Sequence, residues 1–303
     1  MIVACGEALV DLMPEVAGDG SALYRPVLGG SLFNVAMGIA RLGGEAGYLW
    51  ELSTDAFGDQ LVQALVEDGV DVSCVRRTSR MTPVAVVDMS GSEPAYNIAD
   101  ADGVMREMAF AQIPDGATVL HIGSAVLARE PIASAIEGVA VRAPLVSLDY
   151  NVRPPSIEDV DIYRARLMRL SKAAGLVKAS SADIELLGID DHDSFAAEIL
   201  AGGAALVVLT MGEDGAQAWS ASGGRCHMAS QVSRLVDPVG AGDGFMAGML
   251  AHLQKHNLLT RRRLSDLSGA SLQATLAAGQ RGAALVCATQ GAMMPKLGVS
   301  EPY

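Results

Sequence analysis

The 303-residue sequence is poor in aromatic residues, 4% of the chain, so a core must be assembled from Ala, Val, Leu, Ile and Met. Charged residues make up 19%, while 50% are hydrophobic, and Pro and Gly number 12 and 33, which fits neither a disordered nor a collagen-like chain. Lysine is rarer still: Lys172, Lys178, Lys255 and Lys296 are the whole set, and none follows a glycine. The phosphate-cradling GxxxxGK[ST] loop is therefore absent, and so is the GxSxG elbow of α/β-hydrolases. Cys5, Cys74, Cys226 and Cys287 are far apart and form no CxxC pair, so reduced thiols are the simplest reading. His252 and His256 have the spacing of a zinc-ligand pair, but Leu253 stands where a metalloprotease needs Glu. A solvated helix face explains them better. No apolar run reaches the roughly 18 to 20 residues of a membrane span, and Met1–Glu7 carries no basic leader. The expectation is a cytoplasmic protein with no membrane partner.

Positive charge is scarce as well. The formal net charge is −13, a field that repels nucleic-acid backbones and anionic lipid. Small anions remain possible ligands, because local backbone N–H groups can override the net charge.

What the chain does contain is an alternation of short apolar runs with segments of helical period, the pattern of a mostly parallel sheet covered by helices. Strands are predicted at Ile2–Cys5, Thr118–Ile122, Leu145–Leu148, Gly175–Val177 and Ala205–Thr210. Helices are predicted at Leu32–Leu42, Asp59–Asp68, Pro131–Arg142, Asp161–Ala174, Ala241–Lys255 and Leu264–Val286. Two stretches, Leu12–Leu28 and Pro83–Asp102, break the rhythm and read as extended chain. The second reads as a hairpin turning at Ser90–Ser92. Together they could pair into a small β lid (12–28 and 83–102) on a main α/β body (1–11, 29–82 and 103–303). The alternative is a pair of ordinary surface hairpins.

The most informative segment is Asp237-Pro238-Val239-Gly240-Ala241-Gly242-Asp243-Gly244-Phe245 after Leu235-Val236. It reads as a strand ending in a Gly-rich turn that opens a helix. Gly240 and Gly242 let backbone N–H groups approach an anion, and the helix N-terminus adds its dipole. Such a nest can stabilise a transferring phosphoryl group without a lysine. A carboxylate at Asp243, inside an anion site, is electrostatically costly unless it serves as a base that deprotonates an attacking hydroxyl. A plain N-cap aspartate is the bland alternative, and it leaves the two glycines unexplained. The dinucleotide fingerprint GxGxxG fails because its third glycine position is Phe245.

This segment resembles the C-terminal signature of the ribokinase-like (PfkB) carbohydrate kinases. The N-terminal signature resembles Leu28-Gly29-Gly30-Ser31-Leu32-Phe33-Asn34-Val35-Ala36, running on through Arg41-Leu42-Gly43 to Ser53-Thr54-Asp55-Ala56-Phe57-Gly58. Gly6–Asp11, His121–Ser124, Asp149–Pro154, Leu209–Gly215 and Gln290–Ala292 also match, so the resemblance spans nearly the whole chain. It implies a three-layer α/β sandwich with a mostly parallel central sheet and a small β-strand lid. It implies ATP and Mg²⁺ as cofactors, with K⁺ in many members, a small-molecule sugar as partner, and a homodimer formed through the lid.

Carried over residue by residue, the resemblance makes Asp11, Gly29, Gly30 and Asn34 sugar-binding positions and puts Arg153 near the substrate. Asp243 matches the catalytic base, and Gly240, Ala241 and Gly242 the anion hole, which also meets the nucleotide. Thr210, Gly212 and Gly215 match the loop that touches ATP phosphates. Asp237 and the Val239 carbonyl match a monovalent-cation site. The family's Asn-x-x-Glu motif, which organises Mg²⁺ through water, is Ser180-Ser181-Ala182-Asp183 here, leaving Asp183 with a carboxylate one methylene shorter. Pro238 and Gly244 also depart from the commoner residues. No Arg is evident in Tyr96–Asp100, where many members direct one at the substrate, which favours a neutral sugar over a sugar acid. The resemblance is nearest to bacterial fructokinase-like members. It implies ATP-dependent phosphorylation of a primary hydroxyl, with fructose first and 2-keto-3-deoxygluconate second. A sugar- or nucleotide-sensing protein on the same scaffold would be expected to have lost Asp243 or the two glycines.

Overall fold

In the computed structural model, which describes residues 1–88, 95–100, 103–105 and 112–296, fourteen strands form three sheets. They are β1 (Ile2–Cys5), β2 (Leu9–Val16), β3 (Ala22–Gly29), β4 (Ala46–Leu49), β5 (Glu51–Ser53), β6 (Arg76–Thr78) and β7 (Val84–Asp88). The series continues with β8 (Ala95–Ala99), β9 (Val119–Gly123), β10 (Val146–Asp149), β11 (Leu176–Ser180), β12 (Leu206–Thr210), β13 (Ala216–Ser220) and β14 (Arg225–Met228).

The main sheet has the order β14-β13-β12-β11-β10-β9-β1-β4. It is parallel from β4 to β12 and closes at one edge with the antiparallel hairpin β13–β14. Every residue of β1, β4, β9 and β10 is buried, so both faces are covered by helices. Continuous apolar runs, rather than alternating ones, are what a doubly covered parallel sheet requires. The result is the expected three-layer α/β body.

A four-stranded sheet, β3-β2-β7-β8, stands apart from it. Strands β2 and β3 are an antiparallel hairpin, β7 joins β2 in parallel, and β8 returns antiparallel to β7. The two extended insertions therefore do pair with each other. The first insertion is paired beyond its expected bounds at both ends: β2 starts at Leu9 and β3 ends at Gly29, so Asp11 and Gly29 lie on the small sheet itself. The turn expected at Ser90–Ser92 lies outside the described residues.

Two sequence expectations are corrected. The single helix read over Leu264–Val286 is two, Arg261–Ser265 and Gly269–Cys287. Ser268 caps the second by exchanging hydrogen bonds with Ser271, and Gly269 at φ 46 breaks the path between them. The residues before the Gly-rich turn form no strand. Leu235 and Val236 are exposed, and the Val236 N–H donates to the Cys287 carbonyl (2.7 Å) rather than to a ladder. Pro238 has no N–H with which to extend one.

Candidate active site

Strands β9 to β12 end side by side, and their register aligns Gly123 with Asp149, Asp149 with Lys178, and Ser180 with Thr210. This carboxyl edge of a parallel sheet is where open α/β folds place ligands. The helix Ala241–Lys255 begins against it. Its N-cap is Gly240 in the left-handed conformation (φ 78), and a Cβ there would run into the backbone of Ala292. Only glycine fits this corner. The amides of the first turn, Gly242 and Asp243 among them, have no carbonyl within the helix to receive them.

Asp243 is the third residue of that helix, not its cap, which removes the bland reading. Its side chain is buried, with 6% of the residue exposed. The Ser31 hydroxyl donates to Oδ1 at 2.7 Å and the Asn34 amide to Oδ2 at 2.9 Å. Asn151 in turn donates to the Ser31 oxygen at 2.8 Å. Ser31 and Asn34 come from the first turn of the helix Ser31–Arg41, so the two signature segments, two hundred residues apart, close on one carboxylate. Burial pushes the Asp243 carboxyl above its ordinary range, opposed by Asn34, Ser31, Arg153 and Lys178. A raised, oriented carboxylate beside first-turn amides that have no carbonyl partner within the helix can take a proton from a hydroxyl placed before it.

Glu7 and Asp11 approach the same space from the start of the small sheet. Burial raises Glu7 to about 7 and Asp11 to about 7; Arg153 draws both down and Asp243 pushes both up. Asn34 Oδ1 and Glu7 Oε2 are buried without a hydrogen-bond partner. Unpaired buried acceptors are costly, and polyhydroxylic ligands supply the donors they lack. Gly29 lies against the Asp11 carboxylate, and Gly30 (φ 110) is the N-cap of the helix carrying Ser31 and Asn34. Asp11, Gly29, Gly30, Asn34, Arg153 and Asp243 are thus brought into one neighbourhood.

Residues 1–297 match the description "pfkB family carbohydrate kinase". The chain belongs to that family. Among its curated pfkB relatives is a fructokinase of Rhizobium leguminosarum bv. trifolii, 34% identical over 280 residues, covering 90% of this chain and 86% of that one. A crystal structure of fructokinase with bound ATP from Xylella fastidiosa superposes with a TM-score of 0.85 at 26% identity, covering 96% and 93% of the two chains. A fructokinase from Vibrio cholerae O395, solved with fructose, ADP and calcium ion bound, shares the fold: TM-score 0.81, 24% identity, 96% and 94% coverage. The chain is a pfkB carbohydrate kinase with the architecture read from its sequence.

The remaining pfkB positions sort differently. Thr210 ends β12, and Gly212 and Gly215 bracket the tight turn that follows it. Asp237 ties two loops together, accepting from the amides of Val239 (3.0 Å) and Gly291 (2.9 Å). Asp183 has both oxygens engaged by backbone amides, Ser180 and Val152, each at 2.7 Å, the first completing the capping box that Ser180 opens for the helix Ser181–Leu186. That bonding leaves it poorly placed for direct metal ligation. Among the described residues no three His, Cys, Asp or Glu side chains gather to hold a metal ion, and no helix is long and apolar enough to cross a membrane.

Four contributors were not singled out by the sequence reading: Glu7, Ser31, Asn151 and Lys178. Glu7, Ser31 and Asn151 lay inside quoted motifs without a role. Lys178 had a clear signal, a lysine within the apolar run of β11, and the structure buries it at 3% exposure near Gly242. The nest that was expected to work without a lysine has one beside it.

Proposed function

We propose that this kinase phosphorylates a primary hydroxyl of a small neutral sugar, fructose first, with ATP as donor. The observation that carries this reading is Asp243, a buried carboxylate held by Ser31 and Asn34 in the first turn of the helix that opens at Gly240. In the reading, Asp243 takes the hydroxyl proton while the Gly240–Gly242 amides receive charge developing on the transferring phosphoryl group. Asp11, the free Asn34 acceptor and Arg153 orient the sugar, and Thr210, Gly212 and Gly215 meet the nucleotide phosphates. Mg²⁺ bound with the nucleotide would neutralise charge on its phosphates. Asp183, occupied by backbone amides, contributes charge to that region rather than a ligand bond. Asp237 and the Val239 carbonyl are the candidate holders of a monovalent cation.

Arg153 is already drawn to Glu7, Asp11 and Asp243, and Tyr96–Asp100 supplies no second Arg, which disfavours a sugar acid. The four free cysteines suit a reducing, cytoplasmic setting. The segments expected at 12–28 and 83–102, of which β2, β3, β7 and β8 are described, are read as a lid over the body. Val16, Leu23 and Tyr24, exposed on its hairpin, suit pairing with a second copy. The deciding experiment is a coupled ADP-release assay over fructose, ribose, 2-keto-3-deoxygluconate and adenosine. Fructose should give the highest kcat/KM; a clear preference for 2-keto-3-deoxygluconate overturns the neutral-sugar reading.

A further inference from the structure

The sequence offers four lysines, and three of them lie outside the carboxyl edge of the sheet. Lys178 is the exception. It lies on β11 directly opposite Asp149 on β10, and its Nζ stands 3.1 Å from each oxygen of that carboxylate. Both side chains are nearly fully buried, at 4% and 2% exposure. Burial works to lower the Lys178 pKa, yet Asp149, Asp183 and Asp243 outweigh it and hold the ammonium above its ordinary value. The lysine is charged. Burial raises Asp149 to about 6, and the lysine draws it back down.

A buried ion pair that merely ties two strands together would be an odd economy, since such pairs are often neutral or unfavourable beside apolar residues of the same volume. Its position adds a second difficulty for that reading. A Cβ on Gly242 would lie 3.2 Å from Lys178 Nζ, so the ammonium sits against the first turn of the Ala241–Lys255 helix. That end of a helix carries positive partial charge and favours anions, not cations. Ammonium and helix terminus repel each other unless an anion lies between them. The pairing of like-signed groups is what a phosphoryl-binding site needs and what a purely structural contact would avoid.

We infer that Lys178 contacts the phosphoryl group in transfer at the Gly240–Gly242 turn, with Asp149 holding it charged and aimed. The inference rests on the kinase reading. Lys178 takes up the role that the missing GK[ST] lysine plays elsewhere, reached from a neighbouring strand rather than from the loop itself. During transfer it donates a hydrogen bond and keeps its proton. The bond from the sugar oxygen to phosphorus forms as the bond to the ADP oxygen breaks, and the hydroxyl proton goes to Asp243.

The test removes the pair as well as the lysine. Lys178→Met alone strands the Asp149 charge and is expected to unfold at lower temperature. The double variant Asp149→Leu with Lys178→Met removes both members of the pair, so neither is left without its partner, and should melt within a few degrees of the wild-type chain. If Lys178 acts on the phosphoryl group, the folded double variant still loses about 10² to 10³ in kcat, the range for one transition-state donor. A folded double variant turning over within threefold of wild type overturns the inference and leaves a structural ion pair. If the wild-type chain phosphorylates no sugar, the kinase reading has failed, and calorimetry with inorganic phosphate decides for the lysine. At least tenfold weaker phosphate binding in the double variant supports it; equal binding sinks it.

Discussion

Gly244 and Gly282 press backbone to backbone where the helix Ala241–Lys255 crosses the helix Gly269–Cys287. A Cβ on Gly244 would stand 2.7 Å from the Gly282 carbonyl oxygen and 2.7 Å from Val286 Cγ2, with the reciprocal clash at Gly282. The contact lets the helix bearing Asp243 seat deeply, so a methyl group here displaces the proposed base as well as the packing. Replacing Gly by Ala inside a helix ordinarily gains about 1 kcal/mol of propensity. Overpacking against backbone costs about 1–3 kcal/mol, and this neighbour cannot swing aside. Gly282→Ala should therefore lower Tm and reduce kcat together. A variant that melts higher than wild type would show that the helices separate easily.

Asp243→Asn keeps the shape and the Ser31 contact but removes the base. The expectation is a kcat lower by roughly 10² to 10⁴, with sugar and ATP binding within a few-fold of wild type. Because burial raises the Asp243 pKa above the ordinary 3.8, the acid limb of the wild-type rate profile should lie above that pH, with activity rising as Asp243 loses its proton. Near-wild-type turnover in the Asn variant removes Asp243 from the mechanism.

The parts of this fold that were legible in the sequence are those whose signal is local. The strand Ile2–Cys5 and the helix Ala241–Lys255 were bounded correctly because an apolar run and a Gly-rich start mark them. The break at Ser268–Gly269 was missed because apolar residues keep a helical period across it. Strands β13 and β14 went unread although Gly223-Gly224 between them is a hairpin signal. At the site, the Gly-rich turn singled out Asp243, and the family resemblance added Asn34 and Asp11. That Asn34 holds Asp243, or that Asp149 faces Lys178, depends on which strands and helices become neighbours. No spacing within a single segment carries that information.

Glu7 should make the unliganded protein less stable as pH rises. Its folded pKa, about 7, exceeds the ordinary 4.5, so between those values the folded chain holds a proton that the unfolded chain has released. The relative stabilisation is complete below pH 4.5 and lost as pH climbs through 7, amounting to about 3 kcal/mol from this group alone. Asp11, also raised to about 7, works in the same direction. Thermal melts from pH 5 to pH 8 should show Tm falling for wild type and a flatter profile for Glu7→Gln. Parallel profiles for the two would mean that the Glu7 carboxyl keeps its ordinary pKa in the folded chain.

The small sheet should slow its hydrogen exchange when sugar binds, because the strand that begins it carries Asp11, the proposed sugar contact. Asp11 lies on β2, which pairs with both β3 and β7, so a ligand held by Asp11 bears on three of the four strands. A base and an activated phosphoryl group left open to water would hydrolyse ATP without product, and a closing cover prevents that. Gly20 (φ 85) sits at the turn of the β2–β3 hairpin, far from Asp11, so the hairpin tip can move while its base stays paired. Exchange across Val84–Asp88 and Ala95–Ala99 should therefore slow with saturating sugar, and ATPase activity without sugar should be weak. If exchange in both strands is unchanged at saturating sugar while turnover is normal, the small sheet is a fixed wall and closure plays no part in catalysis.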